Sequence, residues 1–325
     1  MHGFGSVTPW LAHEVGFRRH GAEDTILRRT GHILKPPLVV DKSWVVGASK
    51  KDIEVAIRRF HLLLPEILLY ELLTTVESQK RQNLRKISLL SDRTYSGLGT
   101  LGALLRYEAK HKKPCGRLVR HSKDVSDVYI KLADPDYRLI AHEYSALSEK
   151  EVNREKEAAS AFMVASQALC RLHPQLMRLR GVADPTMLGE ISRLIKDETL
   201  LAALYAEVRS SFYSAPEKVD SKWALFRRTQ AHLMMAVVYV RSYGDTPLDR
   251  MYKKVANLYL DTEYLVFGAL AGALATGDIL LQNLFTIMCP DAELVTLITR
   301  SETRGGAHNS VDAPDANRAL RGRRR

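Results

Sequence analysis

Two short apolar runs on either side of one amphipathic segment constrain this chain more than any other feature. The first, Leu38-Val39-Val40, ends in Asp41, and the second, His61-Leu62-Leu63-Leu64, ends in Pro65. Runs this short, apolar throughout, predict strands buried on both faces. Between them Ile53, Ala56, Ile57 and Phe60 recur at a helical period. Strand, helix, strand is the unit from which helix-covered parallel sheets are built. Pro65 suits the opening of a further helix, which Glu66 to Val76 continues with Glu71 in its middle.

The same pattern returns near the other end. Asp261 to Thr276 predicts an apolar helix opened by Asp261 and leading into a strand. Gly277-Asp278 breaks it, Ile279 to Leu284 predicts a helix, and Phe285 to Cys289 a last short strand. The text between is rich in Ala, Leu, Glu and Arg, and its Gly and Pro fall mainly between helical segments. The expected organisation is an N-terminal extension (1–35), a first α/β part (36–80), a mostly helical insert (81–254), a second α/β part (255–300) and a disordered basic tail (301–325). The two α/β parts share one sheet. Phe212, Trp223, Phe226 and Tyr239 in the insert read as packing residues.

Several function classes drop out. Three cysteines, Cys115, Cys170 and Cys289, lie far apart and odd in number, which argues against a disulfide framework or a CxxC zinc site and fits a reducing cytoplasm. The first residues lack an apolar run, so no signal peptide is expected. Tyr264 to Thr276 is too short to span a bilayer, so the chain reads as soluble and cytoplasmic, with no membrane partner. Gly97-Leu98-Gly99-Thr100-Leu101-Gly102 fits GxGxxG, but Ser91 to Ser96 does not read as the strand that a dinucleotide site requires, and a loop before a helix is expected. His13-Glu14 and His142-Glu143 lack the second histidine of HExxH, and neither GxxxxGK[ST] nor GxSxG occurs.

The acids carry more. Asp41 and Asp278 sit at predicted C-terminal strand ends, where sites of open parallel sheets are built. Asp261 and Glu71 lie on helices that reach the same edge. Clustered carboxylates repel one another unless a cation neutralises them, and all-oxygen ligands suit Mg²⁺ or Mn²⁺. The plainer reading makes Asp261 and Asp278 helix N-caps and Glu71 a surface residue.

In order and spacing, these segments resemble a PIN-like nuclease domain. The resemblance covers roughly residues 36–80 and 255–298: Leu38-Val39-Val40-Asp41, then His61 to Pro65 with Leu69-Tyr70-Glu71-Leu72, then Asp261-Thr262-Glu263-Tyr264-Leu265, then Ala275-Thr276-Gly277-Asp278, with Leu284 to Pro290 as the closing strand. It implies a three-layer α/β/α fold with a short central parallel sheet, here carrying a mainly helical insert. It further implies a metal-dependent ribonuclease, with Asp41, Glu71, Asp261 and Asp278 as catalytic acids and Mg²⁺ or Mn²⁺ ligands. Ser43, Glu263 and Thr276 would be auxiliary groups. The chain departs from the family at Ser43, where Asn is frequent, and in the long interval between Glu71 and Asp261.

Charge agrees with an anionic partner: 48 Lys and Arg against 37 Asp and Glu leave a formal +11. Between Lys80 and Lys123 stand twelve basic residues and only two acids, Asp92 and Glu108. Arg81, Arg85, Lys86, Lys110, Lys112, Lys113, Arg117 and Arg120 are the candidate phosphate contacts, with Tyr95 or Tyr107 for base stacking; a solvated helix face is the plainer account. RNA is the expected partner. A DNA-directed nuclease and a non-catalytic nucleic-acid-binding or assembly module stay open, as do an inhibitor protein or a second copy as partner.

Overall fold

Pro36-Pro37 holds the backbone extended, and the chain enters its first strand there. The computed structural model describes residues 35–73, 82–83, 86, 95–123, 160, 162–163, 166–167, 169–170, 173–210, 215–243 and 248–297. Strand β1, Pro37–Val40, buries Leu38, Val39 and Val40 almost completely. Helices α1, Lys42–Gly47, and α2, Lys50–Arg59, then cross to β2, His61–Pro65. A capping box starts α2: Ser49 Oγ accepts from Asp52 N while the Asp52 carboxylate accepts from Ser49 N. Strand β2 pairs parallel with β1 in the register Leu38↔Leu62, and helix α3, Glu66–Leu73, follows it at once.

The sheet continues into the stretch expected to be a mostly helical insert. Strand β3, Tyr95–Leu98, pairs parallel with β2, and β4, Ser122–Lys123, pairs antiparallel with β3. Both lie inside the stretch read as a helical insert, so the α/β part does not stop at residue 80. Gly97 is a strand residue paired with Leu64, not the loop expected from the GxGxxG match. Gly99-Thr100 makes the connection, and Thr100 caps helix α4, Leu101–His111.

The described helices after this stretch include α5, Asp184–Leu194; α6, Glu198–Ser210; α7, Ala224–Ser242; and α8, Leu248–Ala271. Trp223 and Tyr239 are buried as expected of packing residues and Phe226 is partly so, while Phe212 lies outside the described residues. Helix α8 packs over β1 and β5 on one side and along α7 on the other. Asp261 falls in the middle of α8 rather than at its start, which excludes the N-cap reading for this residue. Strand β5, Ala273–Ala275, pairs parallel with β1 in the register Val40↔Ala275.

The last strand is displaced from its expected place. Phe285 to Cys289 belongs largely to helix α9, Ile279–Met288, whose buried Leu281, Leu284, Phe285 and Met288 follow a helical period. Strand β6, Glu293–Val295, closes the sheet beside β5 as a partly exposed edge. Among the described residues the sheet order is β4-β3-β2-β1-β5-β6, five parallel strands and one antiparallel. The chain leaves β1 toward β2 on one side and reaches β5 on the other. A topological switch point, the usual position of a site in such a sheet, therefore lies between β1 and β5.

One buried acid ties α4 to the start of α7. Glu108 of α4 is fully buried, and its Oε1 accepts from Ala224 N and Cys115 N at 2.9 Å and its Oε2 from Leu225 N at 3.0 Å. It supplies the cap that Trp223 lacks at the N-terminus of α7, where the helix dipole favours a negative charge. Burial, and then the Glu108 charge, push the Cys115 thiol up to about 12, which makes it an inert packing group. Among the described residues no helix is long and apolar enough to cross a membrane.

Candidate functional site

Asp41 leaves the C-terminal end of β1 and becomes the N-cap of α1. Its Oδ1 accepts from Trp44 N at 2.9 Å, as an Asp at a helix start does. Two hydroxyls complete its shell. Ser43 Oγ donates to Oδ1 at 2.7 Å, and Thr276 Oγ1 reaches Oδ2 at 2.5 Å from the end of β5. The Asp41 N–H also donates to Ala275 O at 3.0 Å, so the two strand ends are joined by backbone and side chain together.

A second set of bonds fixes the β5 end. Gly277 N donates to Ser43 Oγ at 2.7 Å, and Asp278 N to Thr276 Oγ1 at 3.0 Å. A Cβ on Gly277 would stand 3.2 Å from Ser43 O and 3.2 Å from Leu297 Cδ1. Glycine there lets the two turns approach closely. Asp278 is exposed and caps α9 by accepting from Leu281 N at 2.9 Å, so the plainer reading of this acid holds, without removing it from the edge. Thr276 is completely buried, and Ser43 and Thr276 both bond the Asp41 carboxylate.

Asp261 and Glu71 reach the same edge from helices. The charged groups that act on Asp261 are Glu71, Asp278 and Asp41, so all four predicted acids share one electrostatic neighbourhood. Burial holds the Asp261 carboxyl well above its ordinary range, and its three acidic neighbours push it further in the same direction. Asp41 is also raised, because burial outweighs the bonds from Thr276, Ser43 and Trp44. Glu263 is buried two residues from Asp261, and residues two apart on a helix do not share a face.

Tyr264 is a member of this neighbourhood that sequence reasoning missed. Its ring is buried, and its Oη donates to Glu71 Oε2 at 2.5 Å across 193 residues of chain. Burial and the charges of Glu71, Asp41 and Asp261 hold its phenol well above the usual tyrosine range, so it remains a donor. The available signal was its spacing of three from Asp261, which puts both on one helical face.

Among the described residues no three His, Cys, Asp or Glu side chains form a closed metal-ligand group. The donor chemistry nevertheless fits a hard cation. Every donor is oxygen, three acids oppose the ionisation of Asp261, and Mg²⁺ needs only one or two carboxylates while keeping several waters.

The basic stretch divides. Lys110, Lys112, Lys113, Arg117 and Arg120 are exposed around the end of α4 and the short 3₁₀ turn Leu118–His121. Strand β3 lies two strands from β1, about 10 Å away at the usual strand spacing. Lys86 is otherwise engaged: its Nζ donates to Val45 O at 3.0 Å and Val46 O at 2.6 Å, covering carbonyls at the end of α1. Tyr95 is buried in β3 and is no stacking platform. Tyr107 is half-buried, with its ring against His111 and His121. Arg81, Arg85 and the basic tail lie outside the described residues.

No protein-family model matches the chain, and no curated protein or solved structure matches it.

Proposed function

We propose that this chain is a PIN-like, divalent-metal-dependent nuclease that hydrolyses RNA phosphodiesters. The observation that supports the reading is that Asp41 is bonded to Thr276 where the ends of β1 and β5 meet, and that the charges of Glu71, Asp278 and Asp41 all act on Asp261. These four acids would hold Mg²⁺ or Mn²⁺. Such an ion, when bound, lowers the pKa of a water and offsets charge on the phosphate. The chain's own groups do the rest. Ser43 and Thr276 orient Asp41, the α9 N-terminus and the Asp278 cap fix the β5 turn, and Lys110, Lys112, Lys113, Arg117 and Arg120 offer charge to the backbone of a long substrate.

The test is cleavage of a single-stranded RNA with Mn²⁺ or Mg²⁺, stopped by chelation. Asp278→Asn is expected to lose at least about 10²-fold in rate, because it removes a ligand charge from the ion. A variant as active as the wild type defeats the reading.

One observation favours a second reading, a non-catalytic nucleic-acid-binding or assembly module. Asp41 already accepts from two hydroxyls and an amide, which leaves it little freedom to take a metal. Retained RNA binding with no cleavage under any divalent ion selects that reading. The same assay with a deoxy substrate decides between RNA and DNA, since phosphate contacts alone do not.

A further inference from the structure

We infer that Tyr264 is a positioning residue for Glu71, and through it sets which divalent ion the carboxylate site accepts; this rests on the metal-site reading above. Glu71 rides on α3, which follows β2, whereas Asp261 rides on α8, which packs over β1 and β5. Nothing in local sequence relates the two. Tyr264 does so physically: it lies one helical turn from Asp261 on the same face and donates to Glu71 Oε2 at 2.5 Å.

The geometry favours an orienting role. A tyrosine bond places its oxygen at the end of a rigid ring, and this ring is among the most completely buried side chains of the protein. The Oε2 of Glu71 is thereby fixed relative to the helix that carries Asp261. Partners that bond a ligating carboxylate orient it, and their loss typically costs 10–100-fold in metal affinity. The cost depends on the ion. Mg²⁺ demands near-ideal octahedral geometry at short distance, while Ca²⁺ accepts six to eight oxygens in flexible arrangements. A loosened Glu71 therefore penalises Mg²⁺ much more than Ca²⁺. A residue that merely filled space would leave both ions unchanged when its hydroxyl alone is removed.

The experiment is calorimetric titration of the full chain with Mg²⁺ and with Ca²⁺, for wild type, Tyr264→Phe and Glu71→Gln. Tyr264→Phe keeps the ring and removes only the donor. The expected result is a Mg²⁺ dissociation constant raised about 10–100-fold with that for Ca²⁺ changed by less than about 3-fold, half a log unit. Equal weakening of both ions overturns the inference, as does an unchanged Mg²⁺ constant in Tyr264→Phe beside a weakened one in Glu71→Gln. If the wild type binds neither ion, or Glu71→Gln binds both unchanged, the metal-site reading itself fails, and this inference with it. Should Tyr264→Phe not fold, 3-fluorotyrosine placed at position 264 retains ring and hydroxyl. Its ¹⁹F resonance is expected to move on Mg²⁺ addition, and a resonance indifferent to metal overturns the inference.

Discussion

Glu108 and Asp261 are both acids set deep in helices, and the protein treats them in opposite ways. Glu108 receives three backbone N–H groups and the positive end of α7. Asp261 has Glu71, Asp278 and Asp41 acting on it, all of its own sign. The same division runs through the bases: Lys86 is spent on two carbonyls, while Lys110 is exposed and Lys113 is exposed with its ammonium over the Tyr107 ring. A buried or clustered charge is thus no mark of a site in itself. The mark is a charge whose compensation the fold leaves to something else.

The sharpest way to break this comparison is at Glu108. Glu108→Ala strands three amides at a packed junction and is expected to destabilise the fold by about 3–5 kcal/mol, read from urea unfolding. A loss under about 0.5 kcal/mol, the range of ordinary surface changes, would mean that the junction does not depend on this acid.

Asp261 should behave in the opposite sense. Its folded carboxyl lies above the ordinary 3.8, as does that of Asp41. In the metal-free protein the folded state therefore keeps protons that the unfolded chain releases. The stability from this source is complete below the ordinary value and is lost as pH rises through the raised values. Asp261→Asn removes one such group, so it should raise the melting temperature at pH 7 and flatten its decline with pH. A lower melting temperature at pH 7, or an unchanged slope, would place Asp261 with Glu108 as a structural acid.

How legible these contrasts are in the sequence depends on the range of the forces involved. Strands β1 and β2 and helix α2 are readable because their apolar periodicity is local and strong. Asp41 and Asp278 follow from strand ends. Asp261 stands out for a wrong reason, since the helix begins well before it. Strand β3 escapes because Tyr95-Ser96-Gly97-Leu98 is short and broken by glycine, and β6 because Glu293 opens it. Glu108 looks like one of two stray acids in a basic stretch, and Tyr264 like one more apolar position. Their partners, 116 and 193 residues away, leave no local trace.

The smallest effect expected concerns the bases. Replacing Lys110, Lys112 and Lys113 by Ala should weaken RNA binding for every sequence tested. It should also reduce the salt dependence by about 0.7 log units per decade for each phosphate that the variant no longer neutralises. An unchanged slope would reclassify these lysines as a solvated face.

The bond from Thr276 to Asp41 spans 235 residues, and the same interval separates the register partners Val40 and Ala275. Pairings of such separation form late, because a long loop must close before they reward it. During synthesis at about 5–20 residues per second, Asp41 emerges roughly 12–47 s before Thr276. Over that interval β1 has β2 on one flank and nothing from β5 on the other. The acids stay apart until nearly the whole described chain has been made. A nascent or prematurely ended chain therefore carries Asp41 and Glu71 without Asp261 and Asp278.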